Sequence, residues 1–360
     1  MEIQEWKSPK VRDELNDLKK IKTDKTKRKM NKFLSIAAIL TLLVSCDDNP
    51  SGYKYNQGYL PDQPVNLVDF NTVYDDYNST SPSLGDLIPF CFSTNRNSEG
   101  GEFDVIYQPM NVDFNKSTGV LTVTNEIGGW SSVAEGYKVL RYNIDKINTA
   151  GNEFGPYLIT EYENHELYFT LLYASDEGDD FQIKYMSNKM ETNFSEPKEV
   201  SFLNSEYDDL YPTFNTDKSK IYFCSNREEN NFDFYFVSVD SEMDAVSVLS
   251  NDANHEITKD NTLSSDAEDK CPFIFENRLV FASNRAGGYG GYDLYSSDYK
   301  DGKWSEPINM GAEINTEFDE YRPILIEEGV SESQFMMVFS SNRTGGKGGF
   351  DLYFVGIEKE

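Results

Sequence analysis

Four acidic side chains recur at one position of a repeated pattern, where they could perform acid–base chemistry or bind a cation. They are Asp76, Asp209, Asp269 and Glu320, each at the start of an apolar run. Glycoside hydrolysis needs one protonated and one ionised carboxyl group, in different surroundings. Carboxylates that recur in register tend to share one environment. We therefore predict an acidic ring around a common axis that caps loops or binds a cation, with catalysis as the less favoured alternative.

Other catalytic and metal-binding patterns are incomplete. The two histidines, His165 and His255, occur in HELYF and HEITK, which lack the second histidine of a zinc protease motif. Acidic runs at 175–180 and 207–211 could attract calcium, although neither has EF-hand spacing. We predict no metal and no cofactor, with calcium as the alternative.

Four arginines follow a Ser-Asn or Thr-Asn pair, and an aspartate comes six to eight residues after each. The predicted pairs are Arg96 with Asp104, Arg227 with Asp233, Arg285 with Asp293, and Arg343 with Asp351. A guanidinium group can bind a carboxylate through two hydrogen bonds. We expect each pair to be a structural latch that fixes a turn and ties the repeats together. A ring of arginines that faces a ligand is the alternative.

These side chains belong to a long internal repeat. Clear copies begin at Tyr211, Cys271 and Tyr321, and weaker copies surround Arg96 and the Asp-Glu pair at 176–177. Each copy reads as two apolar strands, a glycine-rich or polar turn, an aromatic-Asp-aromatic strand and a short fourth strand. Units of four short strands every 50–60 residues or so are typical of β-propeller blades. The sequence therefore predicts an all-β, five-bladed β-propeller over residues 63–360.

Three further features bear on this fold. The last copy stops after its third strand, and residues 63–82 resemble the missing fourth strand, so we expect the N-terminal strand to close the ring. An insertion at 108–144 is predicted to be an elaborated hairpin, and a sixth blade is the alternative. The glycine-rich strings at 281–295 and 339–353 are interpreted as hairpin turns, because no helix follows as a phosphate-binding loop requires.

The N-terminus has the order of charge, apolar run and cysteine that resembles a bacterial lipoprotein signal. We predict a signal peptide at 30–45, lipidation of Cys46 and a flexible tether at 46–62. Residues 1–29 are interpreted as a mis-assigned start or a disordered segment. The resemblance implies a lipid-anchored protein of the cell envelope, expected at the outer membrane on either its periplasmic or its surface face.

Composition limits the partners. The formal net charge of −29 argues against nucleic acid, whose phosphates attract basic residues. An envelope protein or a glycan is expected instead, and the candidate contacts are Trp130, Tyr137 and Tyr289. The remaining cysteines are predicted to be buried free thiols, with one disulfide as the alternative. They are Cys91, Cys224 and Cys271.

The repeated "SNR…GG…FDLY" units resemble the TolB-type, WD-repeat-like propeller repeats of Gram-negative envelope proteins, over roughly residues 63–356. This resemblance implies protein binding or scaffolding, and it carries no catalytic residues. We therefore predict a lipid-anchored, non-catalytic protein-binding propeller. Two alternatives stay open, which are a glycan-binding surface lipoprotein and a glycoside hydrolase of the five-bladed type.

Overall fold

The computed structural model describes residues 52–82, 87–126, 137–189, 191, 193–228, 231–329 and 331–359. The chain divides into two compact units. The smaller contains residues 52–56 and 116–118, in which the backbone N–H groups of Lys54 and Tyr55 donate to the Lys116 carbonyl at 2.9 and 3.0 Å. The larger contains all the strands of the described residues.

The larger unit is an all-β propeller of five antiparallel sheets, which confirms the predicted fold class. Blade 1 consists of β2 (Asp76–Thr80), β3 (Leu87–Thr94), β4 (Asp104–Asn115) and β5 (Val120–Thr124). Blade 2 consists of β6 (Glu153–Glu163), β7 (Glu166–Ser175), β8 (Gln182–Ser187) and β9 (Lys198–Glu199). Blade 3 consists of β10 (Asp209–Phe214), β11 (Lys220–Ser225), β12 (Asp233–Ser238) and β13 (Ile257–Lys259).

The last two blades use the two ends of the chain. Blade 4 consists of β14 (Asp269–Phe275), β15 (Arg278–Ser283) and β16 (Asp293–Lys300), with β17 (Lys303–Trp304) and β18 (Ile308–Asn309) both paired to β16. Blade 5 consists of β19 (Glu320–Ile326), β20 (Gln334–Ser341), β21 (Asp351–Glu358) and the N-terminal β1 (Val65–Asn66). In β1, Val65 lies opposite Phe354 and Asn66 opposite Tyr353. The predicted closure of the ring by the N-terminal strand is therefore confirmed.

The predicted insertion at 108–144 is not a sixth blade. It supplies the end of β4, strand β5 and a short helix, α1 (Lys138–Asn143), while residues 127–136 lie outside the described part. Elsewhere in the described residues, the helical segments are a 3₁₀ turn at Ile144–Lys146 and α2 (Ala245–Leu249). None of the helices in the described ranges is long and apolar enough to cross a membrane.

Each blade is joined to the next by one recurring backbone hydrogen bond of 2.7 to 2.9 Å. The N–H group at the start of an innermost strand donates to the carbonyl just before the third strand of the preceding blade. The five pairs are Glu153 to Phe103, Asp209 to Phe181, Asp269 to Phe232, Glu320 to Tyr292, and Asp76 to Phe350. The last pair connects blades 5 and 1, so this bond also closes the ring.

The innermost strands and the cysteines lie in the core. All residues of β10 and β19 are buried, as expected for strands covered on both faces. The three cysteines of the described ranges are buried and free, which confirms the predicted thiols. Burial raises the pKa of the Cys91 thiol far above its ordinary value, so this cysteine is unreactive at neutral pH.

Candidate functional site

The predicted arginine latches exist, but the partner predicted for each arginine is wrong. Arg285 Nη2 lies 2.5 Å from Asp269 Oδ1 and 2.8 Å from the Leu263 carbonyl, and its Nε donates to Ser283 Oγ at 3.0 Å. The same set recurs in three other blades. The carboxylate partners there are Asp76 for Arg96, Asp209 for Arg227, and Glu320 for Arg343. The arginines thus bind the residues predicted as an axial acidic ring.

The third-strand aspartates have other partners, which explains the correction. Asp293 accepts from the backbone N–H groups of Tyr289 and Gly290 at 2.6 and 3.1 Å, and from Asn309 Nδ2 at 2.7 Å. It therefore caps the glycine-rich turn instead of binding Arg285. The remaining members bind different groups. Asp351 binds the N–H groups of Lys347 and Gly348, Asp104 binds Asn97, and Asp233 binds Lys259.

The four carboxylates of the predicted ring are fully buried and bonded on both oxygens. Asp209 is representative, since Oδ1 binds Arg227 and Oδ2 accepts from Ser205 N and Oγ at 2.6 and 2.8 Å. A carboxylate in such a cage stabilises the blade, because replacing either partner leaves a buried group unsatisfied. The ring is therefore part of the latches and is not open to a substrate.

Blade 2 carries a fifth carboxyl group that the sequence prediction missed. Glu153 occupies the same position, with Thr149 and Ser175 as hydrogen-bond donors. The place of the arginine is taken by Glu177, so no cation binds Glu153 among the described residues. Burial raises the pKa of Glu153 to about 6, although the hydrogen bonds from Thr149 and Ser175 oppose that shift. The substitution of Ser-Asn-Arg by Ser-Asp-Glu was the sequence signal.

Side chains from different blades fill the axis of the propeller. Tyr77 of blade 1 stacks on Tyr321 of blade 5 with ring centroids 5.4 Å apart, and Tyr211 of blade 3 meets Tyr321 at 6.4 Å. The Arg322 side chain is fully buried in the same region and lies over the Tyr211 ring. Rings from non-adjacent blades can meet only at the centre, so the described residues close the axial position where catalytic carboxylates were considered.

A groove lies at the end of blades 4 and 5 that is opposite to the arginine latches. Strand pairing fixes this end, because Phe275, Arg278 and Asp298 align across blade 4, far from the latch. The groove encloses about 200 Å³, and its lining includes Glu276, Tyr299 and residues of blade 5 such as Phe335. We call it the lower groove.

The lower groove combines aromatic and charged groups. Tyr299 is 37% exposed and packs edge-on against Trp304 at 5.0 Å, while Trp304 Nε1 donates to the Tyr222 hydroxyl at 3.1 Å. A smaller pocket towards blade 3 shares Glu276 and Tyr299 with the groove and adds Trp304 and Tyr222. The aromatic floor therefore extends across three blades.

Two carboxyl groups in the lower groove have different surroundings. Asp298 Oδ1 accepts from Arg278 Nε at 3.1 Å, and the Asp298 side chain is 27% exposed. Glu276 lies in the turn between β14 and β15 and is exposed. Arg278 also donates to the Glu358 carbonyl at 3.0 Å, which fixes the edge of blade 5 against blade 4.

The predicted contact residues do not come together. Tyr289 is 52% exposed at the tip of its turn, on the latch end. Tyr137 is 4% exposed and packs edge-on against Phe169, so it covers the blade edge and is not available to a ligand. Trp130 and Cys46 lie outside the described residues. Within the described ranges, no group of three or more His, Cys, Asp or Glu side chains is placed to hold a metal.

Comparisons with known proteins bear on the fold. No family model matches the chain, and no curated protein matches it. Solved structures do match. An α-L-arabinofuranosidase from Podospora anserina has 13% identity and a TM-score of 0.46, covering 84% of this chain and 96% of its own. An endo-arabinase from Bacteroides thetaiotaomicron has 10% identity and a TM-score of 0.47, covering 83% and 98%. A protein of unknown function from Dyadobacter fermentans has 8% identity and a TM-score of 0.45.

These neighbours overturn one prediction. The interpretation of the chain as a non-catalytic protein-binding scaffold is contradicted, because the similar structures include glycoside hydrolases. At such low identity and TM-score, the likeness concerns the fold and shows no activity for this chain. A propeller is established by its five sheets, whereas the TolB-type identity is not shown.

Proposed function

We propose that the protein is a carbohydrate-active propeller that binds a glycan in the lower groove and hydrolyses a glycosidic bond there. The observation that carries this proposal is the combination of an exposed aromatic ring with two dissimilar carboxyl groups in one groove, at Tyr299, Glu276 and Asp298. Ligand sites are typically concave and largely apolar, with a few polar groups that fix orientation.

Tyr299 supplies the apolar contact. Its ring is held edge-on by Trp304, whose indole N–H is bonded to Tyr222, so the platform is rigid before a ligand arrives. A preorganised surface loses little conformational entropy on binding. The apolar face of a sugar ring can lie on Tyr299, while its hydroxyl groups reach Glu276, Asn277 and Asp298 along the groove.

The two carboxyl groups suit the two roles of hydrolysis. Asp298, which accepts a hydrogen bond from Arg278, is assigned the role of the base that takes a proton from the attacking water. Glu276 is exposed in the free protein, and a bound sugar would remove water from it. Glu276 is assigned the role of the general acid, which donates its proton to the glycosidic oxygen as the C–O bond breaks.

Polysaccharide binding and cleavage by the full chain test the proposal. The panel should include arabinan and arabinoxylan, because an arabinofuranosidase and an endo-arabinase are among the similar structures, together with xylan, β-glucans and pectin. We expect retardation in affinity electrophoresis and release of reducing ends. Tyr299→Ala should weaken binding about tenfold, as expected for loss of an aromatic contact. Glu276→Gln and Asp298→Asn should keep binding and lower turnover by at least ~100-fold.

Tyr162→Ala is the matched control, because Tyr162 is 71% exposed and lies at the end of β6, in blade 2. It should bind and cleave like the unaltered chain. Binding that survives Tyr299→Ala, or cleavage that survives both carboxamide substitutions, would place the site elsewhere. Thermal melting of each variant separates loss of function from loss of fold.

The cellular location and the finer family likeness extend the proposal. The signal-like residues 30–45 and Cys46 support a lipid anchor in the cell envelope, and the repeat motif supports a TolB-type relationship. A lipid-anchored propeller could meet polysaccharide at the cell surface. Mass spectrometry of the mature N-terminus tests the anchor. An acylated Cys46, lost together with membrane association in Cys46→Ser, is the expected result, and an unmodified Cys46 would refute it.

A further inference from the structure

The axis of the propeller holds a buried positive charge. Arg322 is 0% exposed, and its Nη2 and Nη1 donate to the carbonyls of Pro156 and Pro272 at 2.9 and 3.3 Å. Its guanidinium carbon lies 5.4 Å from the centre of the Tyr211 ring. No carboxylate of the described residues lies within ion-pair distance of Arg322. A buried charge is costly unless an opposite charge accompanies it.

The backbone brings this charge to the centre. Every innermost strand has a β-bulge, and one residue of each bulge adopts a positive φ between 47° and 60°. These residues are Asn78, Gly155, Tyr211, Cys271 and Arg322. Arg322 comes from blade 5 and reaches carbonyls of blades 2 and 4 and a ring of blade 3, so its guanidinium crosses the axis.

Two polar atoms of these bulge residues lack hydrogen-bond partners among the described residues. They are Arg322 Nε and Asn78 Oδ1. Asn78 Nδ2 contacts the Tyr211 hydroxyl at 3.5 Å. The two ends of an amide are assigned from hydrogen bonding, so the NH₂ group of Asn78 can also stand where its unpartnered Oδ1 is placed. Arg322 Nε is therefore a buried charged donor without a partner among the described residues.

The neighbouring acids do not supply the missing negative charge. Burial raises the pKa of Cys271 to about 12 and the pKa of Tyr211 well above its ordinary value, so both are neutral at pH 7. A water molecule could accept a hydrogen bond from Arg322, but it would leave the charge uncompensated. The group that satisfies both requirements is a small anion.

We propose that a monoanion of about the size of chloride binds at the propeller axis against Arg322 Nε. The anion acts as a structural ligand that stabilises the folded propeller. The site is separate from the lower groove, so the proposal does not depend on the proposed function. An anion bound only to the native state stabilises it in proportion to ligand concentration.

Halide substitution tests the proposal directly. Full-length protein is refolded in sodium chloride, sodium bromide or sodium gluconate at equal ionic strength. We expect the Tm in either halide to exceed that in gluconate by about 2 °C or more, rising with halide concentration. Crystals grown in bromide should show an anomalous peak within contact distance of Arg322. No axial peak together with equal Tm values would overturn the proposal.

Variants identify the residue responsible. Arg322→Met keeps the length of the side chain and removes its charge, so its Tm should no longer depend on halide. Arg141→Met, which removes an exposed arginine of α1, should retain the full halide dependence. If Arg322→Met fails to fold, bromide crystallography of the unaltered chain still decides the question. Halide dependence that persists in a folded Arg322→Met would refute the assigned site.

Discussion

Blade 2 and the other four blades all bury a carboxyl group at the start of the innermost strand, but its partners in blade 2 are different. In blade 5, Glu320 is fully buried and binds Arg343 at 3.0 Å. In blade 2, Glu153 is equally buried, binds only Thr149 and Ser175, and has its pKa raised to about 6. The comparison teaches that hydroxyl and backbone donors are enough to place the carboxyl group, even where the arginine is missing.

A second exchange in blade 2 shows which part of the latch is kept. In blade 3, Asn226 Nδ2 donates to Asp208 Oδ2 at 3.2 Å. In blade 2 the two residue types are reversed, since Asn152 Nδ2 donates to Asp176 Oδ2 at 2.8 Å. The hydrogen bond between these two positions is therefore kept when the Asn and Asp residues are exchanged. The arginine–carboxylate ion pair, by contrast, has no replacement among the described residues of blade 2.

Removing an arginine from a complete latch is the strongest way to test this comparison. Arg343→Met leaves the buried Glu320 carboxylate without its cation, so we expect a loss of about 3 kcal/mol in the free energy of unfolding. Urea titration followed by tryptophan fluorescence measures it. Glu177→Met is the control in blade 2, because Glu177 is 57% exposed, and it should change stability by less than about 0.5 kcal/mol. Equal effects would show that the latch is not what stabilises blade 5.

The glycine-rich turns extend the comparison to the joints between blades. A Cβ on Gly348 would collide with the Tyr74 carbonyl of blade 1, whereas a Cβ on Gly178, in the corresponding turn of blade 2, meets nothing within 4 Å. We expect Gly348→Ala to cost about 2 kcal/mol by overpacking at the ring closure, and Gly178→Ala to be near neutral. Thermal melting distinguishes them, and a neutral Gly348→Ala would mean that the turn can move away from blade 1.

These joints explain why the repeat predicted the fold so well. Several blades make the same contacts through the aromatic-Asp-aromatic strand, the Ser-Asn-Arg turn and the glycines. Because the contacts recur, the residues that make them recur in the sequence. Gly290 and Gly348 are needed because the turns of blades 4 and 5 press on the next blade. The partner of each arginine was not predictable, because two aspartates, such as Asp269 and Asp293, flank the same Ser283 across the sheet.

The lower groove was not predictable for the opposite reason. Trp304 lies in β17, a fifth strand that the other blades lack among the described residues, and Tyr299 lies opposite it at the end of β16. Glu276 lies in a hairpin turn whose sequence differs from blade to blade. Residues that are unique to one copy carry no repeat signal, and their proximity depends on the closed ring. The repeat in the sequence therefore predicts the propeller fold but not the residues of the lower groove.

Protonation of Glu153 gives a prediction with a defined sign. Its pKa in the folded protein, about 6, lies above its ordinary value of 4.5, so the native state binds the proton more readily than the unfolded state. Stability contributed by the neutral acid is present below about pH 4.5 and is lost as the pH rises through 6. The expected loss is on the order of 1 kcal/mol.

Glu153→Gln should remove this pH dependence, because the amide keeps the size of the side chain and does not ionise. Urea unfolding at pH 4.5, 5.5, 6.5 and 7.5 compares the variant with the unaltered chain, and only their difference is interpreted, since other groups titrate in both. The difference should grow in favour of Glu153→Gln between pH 4.5 and 6.5. A difference that stays constant would mean that Glu153 is already ionised in the native state at low pH.

Installing the missing cation is the smallest and most informative change. Glu177→Arg recreates the Ser-x-Arg sequence of a complete latch. In blade 3 the arginine also donates to the Leu203 carbonyl, and Ile147 precedes Glu153 by the same number of residues as Leu203 precedes Asp209. We expect a gain of about 0.5–1 kcal/mol at pH 7, because the loss of the Glu177–Lys184 ion pair at 3.1 Å offsets part of the benefit. The gain should disappear in the double variant with Glu153→Gln. If the gain persists there, the new arginine acts on the overall negative charge of the protein and not through the latch.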